Sequence, residues 1–131
     1  MKALVIEDDQ DSAALMSFLI KRSHPECEVF EARGWRDCRE MHKQSLDLDL
    51  VVMDCMLIDG TCVDAWREIE NHLLRPSTLW VCSALDSRQA KVLADQISYP
   101  HEFIRKPINP MFVKRKLSNL SIEGTDKCSR N

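Results

Sequence analysis

At 131 residues and 44% hydrophobic composition, the chain is long enough to bury one apolar core without disulfide support. Its 18 Lys and Arg against 21 Asp and Glu leave a formal charge of -3, which removes the electrostatic basis for binding nucleic acid or anionic lipid. The longest apolar stretches are strand-sized, far below the roughly 20 residues of a membrane-spanning helix, so a soluble, cytoplasmic protein is expected.

In chain order, residues 2–6 form a short apolar run that ends at Glu7-Asp8-Asp9, and Leu15, Phe18 and Leu19 then recur at helical spacing. That pattern predicts a strand, an acidic turn and a helix stopping near Ser23, because His24-Pro25 disfavours α geometry. Residues 27–32 read as a second strand, and Gly34 opens a second helix through Trp35, Cys38 and Met41. Leu48 to Met53 ends in continuously apolar residues, as a strand covered on both faces would, and stops at Asp54. Val63, Trp66, Ile69 and Leu73 predict a third helix capped by Gly60 or Thr61. Residues 78–82 predict a fourth strand ending at Ser83, before a fourth helix through Ala90, Leu93, Ala94 and Ile97. Residues 102–105 predict a fifth strand, followed by Lys106-Pro107 and a last helix with Asn109 as N-cap and Pro110 at its first position.

Five strands alternating with five helices require a parallel sheet with helices on both faces, a doubly wound α/β domain over residues 1–120. Residues 121–131 are polar with no apolar period and read as a tail or the start of a linker. The six cysteines, Cys27, Cys38, Cys55, Cys62, Cys82 and Cys128, show no CxxC spacing and read as reduced packing thiols.

Ligands of a doubly wound sheet bind beyond the carboxyl ends of its strands, which gathers Glu7, Asp8, Asp54, Ser83 and Lys106 at one rim. Converging carboxylates repel one another unless a cation neutralises them. Mg²⁺ fits, because it takes one or two carboxylates and keeps several waters, with Asp8 and Asp54 as direct ligands and Glu7 acting through water. Asp54 can then serve as nucleophile toward a phosphoryl group, with the Lys106 ammonium and the Ser83 hydroxyl on its oxygens.

The turn Val5-Ile6-Glu7-Asp8-Asp9, the segment from Asp54 to Gly60, the pair Ser83-Ala84 and Lys106-Pro107 together resemble the receiver domain of two-component response regulators. The resemblance implies a flavodoxin-like fold with strand order 2-1-3-4-5 and a donor that is a histidine kinase or a histidine phosphotransfer protein. It implies Asp54 as phosphoacceptor, Glu7 and Asp8 as the acidic pair and the Met56 backbone carbonyl as a further Mg²⁺ ligand. It also implies Phe103 as the aromatic switch partner of Ser83, and no enzymatic role beyond the protein's own phosphorylation and dephosphorylation. Receivers often dimerise or dock an effector through the face of helix 4, strand 5 and helix 5, here with Lys91, Asp95, Arg105 and Lys114. Ile58 stands where the family usually has Pro, so the turn after Asp54 lacks a fixed φ. Met56 and Leu85 flank the approach of water to the phosphoryl group, and as apolar residues they predict slow autodephosphorylation.

Taken singly, these residues have ordinary explanations. Asp8 or Asp9 is a natural N-cap, Asp54 a turn former, Ser83 a helix cap, Lys106 a solvated loop residue and Phe103 a core residue. Cys55 and Cys62 flank the Asp54 loop but read first as apolar filler rather than as a redox pair. A haloacid-dehalogenase-type phosphohydrolase would want an Asp where Met56 stands, and a flavin-mononucleotide module would want phosphate-binding N–H groups where Glu7-Asp8-Asp9 stands. The remaining alternative is a receiver that works as a protein-interaction module without phosphorylation.

Overall fold

Apolar runs of strand length separated by helices of one-sided polarity can all be covered in a sheet with a helical layer on each face. A computed structural model describes residues 1–41, 47–72, 76–84 and 87–129 and has this architecture. The main sheet consists of β1 (Lys2–Ile6), β2 (Glu28–Ala32), β3 (Leu50–Asp54), β6 (Thr78–Ser83) and β7 (Glu102–Arg105). Its order is β2-β1-β3-β6-β7 and every pairing is parallel, which is the expected 2-1-3-4-5 arrangement of a flavodoxin-like domain. The helices are α1 (Gln10–Ser23), α2 (Trp35–Met41), α3 (Cys62–His72), α4 (Ser87–Ala94) and α5 (Pro110–Ser129).

Because strand side chains alternate, each strand feeds two separate apolar layers. Val5, Val52 and Trp80 pack with α1 and α5 through Met16, Ile20, Val113 and Leu117. Ile6, Met53 and Val81 point the other way, onto α2, α3 and α4 through Cys38, Trp66, Ile69 and Ala90. The sheet is buried on both sides, as the unbroken apolar run of β3 requires.

Four details depart from the sequence expectation. Helix α1 buries Ala13, Met16, Leu19 and Ile20, while Leu15 and Phe18 face outward. A helix can lay only one stripe on the sheet, and contact with β1 and β2 selects that one. Helix α4 stops at Ala94, yet Ile97 stays buried in the following turn, where its N–H bonds the Ala94 carbonyl. A small antiparallel hairpin, β4 (Met56–Leu57) with β5 (Gly60–Thr61), follows Asp54 and is too short to leave any alternation in the sequence. Helix α5 runs to Ser129 rather than stopping near Leu120. The lack of an apolar stripe removes packing, but without a proline after Pro110 nothing stops the backbone hydrogen bonding. Leu73, expected on α3, lies outside the described residues. Among the described residues, no helix is long and apolar enough to cross a membrane.

Candidate functional site

The strand ends bring the expected acidic residues together. Glu7 leaves β1 with its N–H donating to the Ala32 carbonyl at 2.9 Å, and its side chain is buried. Asp9 turns away as the N-cap of α1, accepting from the Ser12 N–H at 3.0 Å, which separates it from Asp8. Asp54 closes β3 in register with Cys82. One carboxylate oxygen from each of Glu7, Asp8 and Asp54 lies within 4.8 Å of the other two.

Lys106, just past β7, is held there by its N–H donating to the Ser83 carbonyl at 2.9 Å. Its ammonium donates to Asp54 Oδ2 at 3.3 Å and to Glu7 Oε1. One cation therefore faces three carboxyl groups, and Glu7 Oε2 is buried without a hydrogen-bond partner. Burial, reinforced by the neighbouring Asp54 carboxylate against the opposing pull of Lys106, pushes the Glu7 carboxyl from its ordinary 4.5 up to about 7. Burial works to lower the Lys106 ammonium, but its bonds and charge contacts with Glu7 and Asp54 outweigh that and hold it above its ordinary value. A partnerless buried oxygen within an all-oxygen cluster is what a hard divalent cation would satisfy, so these residues fit Mg²⁺.

Ser83 ends β6 almost fully buried, on the strand beside Asp54. Phe103 sits three residues before Lys106, in register with Val81, with its ring 37% exposed. Met56 also turns its side chain outward, and Leu85, expected beside it, lies outside the described residues. The structure thus gathers Glu7, Asp8, Asp54 and Lys106, sets Ser83 on the neighbouring strand end and leaves Phe103 at the surface. Lys91, Asp95, Arg105 and Lys114 are all exposed around α4, β7 and α5.

The loop after Asp54 is tied to two helices. Asp59, at the hairpin turn, accepts from the backbone N–H of Trp35 at 3.1 Å and of Arg36 at 3.2 Å, while its own carbonyl accepts from the Trp35 indole at 2.6 Å. It therefore caps α2 from a distant part of the chain. On the other side, Thr61 Oγ1 accepts from the Val63 N–H at 3.2 Å and the Asp64 carboxylate accepts from the Thr61 N–H at 2.9 Å, a reciprocal cap on α3. The missing Pro at Ile58 is thus offset by side-chain anchors that the sequence pattern did not point to.

The arrangement is a parallel five-stranded α/β sheet with acidic residues and an ammonium at its carboxyl rim, a fold shared with receiver domains. Solved structures with this fold include the N-terminal domain of an uncharacterized protein from Wolinella succinogenes, with a TM-score of 0.78 at 22% identity over 97% of this chain and 98% of that one. A response-regulator receiver domain protein from Clostridium thermocellum matches with a TM-score of 0.71 at 20% identity, over 95% and 96% of the two chains. A chemotaxis-regulator-like receiver domain protein from Methanospirillum hungatei matches with a TM-score of 0.69 at 18% identity, over 93% and 97%. At these identities the likeness establishes the fold. No family model matches the chain, and no curated protein matches it.

Proposed function

We propose that this chain is a response-regulator receiver that takes a phosphoryl group onto Asp54 from the phosphohistidine of a histidine kinase or phosphotransfer protein, and that this switches a protein-interaction surface. The observation that carries the reading is Lys106, anchored beside Ser83 and bonded to both Glu7 and Asp54, over three carboxylates within 4.8 Å.

In this reading, an Asp54 oxygen attacks phosphorus, the bond from phosphorus to the donor imidazole nitrogen breaks, and the imidazole leaves with its electron pair and takes up a proton. Glu7, Asp8, Asp54 and the Met56 carbonyl would hold Mg²⁺, which would neutralise charge on the transferring oxygens. The Lys106 ammonium, already beside Asp54, holds a second phosphoryl oxygen, and the Ser83 hydroxyl reaches the third. The first of these contacts diverts Lys106 from its resting partner Glu7.

That exchange would couple chemistry to surface. Movement of Ser83 toward the phosphoryl group vacates space beside β7, into which the half-exposed Phe103 ring turns. The adjoining face, with Lys91, Asp95, Arg105 and Lys114, then changes its affinity for an effector or a second copy.

Incubation with acetyl phosphate and Mg²⁺, followed by intact-mass measurement, tests the reading. One phosphoryl adduct that is lost in Asp54→Asn is expected. No adduct, or one that persists in Asp54→Asn, would leave a receiver fold working as an interaction module without phosphorylation.

A further inference from the structure

The hairpin after Asp54 carries a feature that phosphoryl transfer does not use. Its register pairs Met56 with Thr61 and Leu57 with Gly60, so Cys55 and Cys62 are the next residues directly opposite each other. Their backbones continue the ladder, with the Cys62 N–H donating to the Cys55 carbonyl at 2.9 Å. Their side chains meet as well, the Cys62 thiol donating to the Cys55 sulfur at 3.8 Å. Both are fully buried and reduced, and among the described residues they are the cysteines whose thiols are in contact.

Directly opposed, hydrogen-bonded residues of an antiparallel pair have Cα atoms about 5.5 Å apart, inside the roughly 4.4–6.8 Å range that a disulfide spans. The two sulfurs therefore need only side-chain rotation and a small local shift to bond. We propose that Cys55 and Cys62 are a redox-responsive dithiol that peroxide converts to an intramolecular disulfide, and that this disulfide slows phosphoryl uptake at Asp54.

The chemistry balances with hydrogen peroxide as the two-electron oxidant. One thiol sulfur attacks a peroxide oxygen, the O–O bond breaks, and a sulfenic acid and one water result. The second sulfur then attacks the first, the S–O bond breaks, and the S–S bond forms. The departing oxygen leaves as a second water with the remaining thiol proton. Buried thiols react slowly, but the covering hairpin is short and carries Met56 and Ile58 at its surface, 48% and 74% exposed.

The effect on the site follows from position, and this part rests on the phosphoacceptor reading above. Cys55 lies between Asp54 and Met56, two of the groups proposed to close on the cation. A covalent tie from Cys55 to the first residue of α3 pins that segment beside Asp54.

The test compares protein reduced with a phosphine against protein equilibrated with hydrogen peroxide, each assayed by mass spectrometry for cross-linked peptides and for the rate of adduct formation with acetyl phosphate and Mg²⁺. A Cys55–Cys62 cross-link and an adduct rate at least about three-fold lower are expected. Cys62→Ser keeps a hydroxyl donor for Cys55, and should lose both the cross-link and the sensitivity to peroxide. Thiols that stay reduced, cross-links confined to other cysteines, or an oxidised protein that reacts as fast as the reduced one would each overturn the proposal. Reduced protein that takes no adduct would sink the phosphoacceptor reading and the coupling with it, while the cross-link would still decide the pairing.

Discussion

The carboxylate of Asp59 bonds the backbone N–H of Trp35, 24 residues earlier in the chain, and so joins the loop after Asp54 to the first turn of α2. Gly34 makes that approach possible, because a Cβ there would lie 2.3 Å from Asp59 Oδ1. Asp59→Ala should cost about 1–2 kcal/mol, the usual loss of an N-cap. Gly34→Ala should act on the same contact, so the double variant should lose less than the sum of the singles. Urea unfolding of the three variants checks this, and strict additivity would show that the bond contributes nothing.

Lys106→Met should separate two roles. Without the ammonium, phosphoryl uptake should fall by about 10²-fold, the usual size of a lost charge-stabilising donor. Binding of Mg²⁺ should tighten at the same time, because a competing positive charge has left Glu7 and Asp54. A merely structural lysine would weaken both. Calorimetric titration of Mg²⁺ beside adduct kinetics reads the split.

Glu7 makes metal binding depend on pH. Its carboxyl is pushed by burial from 4.5 up to about 7, so between those values the folded chain holds a proton that the unfolded chain has released. Without metal, this group therefore makes stability fall as pH rises through that window. Mg²⁺ must displace the proton, so its affinity should weaken as pH drops below about 7, with up to about one proton released per ion. Calorimetry in buffers of different ionisation heat measures the release, and Glu7→Gln should abolish it.

Asn109 caps α5 through Oδ1, which accepts from the N–H groups of Met111 at 3.0 Å and Phe112 at 3.2 Å. Asn109→Ala should cost about 1 kcal/mol without altering Mg²⁺ affinity. A larger loss, or a change in metal binding, would mean that the start of α5 also shapes the Lys106 loop.

Asn109 was readable in advance because a cap acts on its own neighbours in sequence, as was the order of strands and helices, which rests on local period. Glu7, Asp8, Asp54 and Lys106 could be gathered from their common place just after strands, since parallel strands end at one rim. Asp8 could be placed at the site, but which of Asp8 and Asp9 caps α1 is decided only by the helix, where Asp9 faces the Ser12 N–H. Asp59 and the thiol contact stayed hidden for a different reason. Both depend on how a hairpin of two-residue strands folds onto α2 and α3, and so short an element leaves no period to read. Phe103 was placed by its offset from Lys106 alone, which gives the strand position but not the half-exposed ring.

The two apolar layers divide the three tryptophans unequally. Trp80 is buried on the α1 and α5 side with the Lys116 ammonium 5.9 Å from its ring, whereas Trp66, 4.9 Å from Tyr99, and Trp35, beside Arg36 and Arg39, lie on the other. A variant carrying Trp35→Phe and Trp66→Phe would therefore hold a single tryptophan, three residues upstream of Ser83 on the same strand. Its emission would report on one slab of the molecule alone, with the complementary Trp80→Phe variant reporting on the other, so the spread of a signal across the sheet could be timed without an added dye.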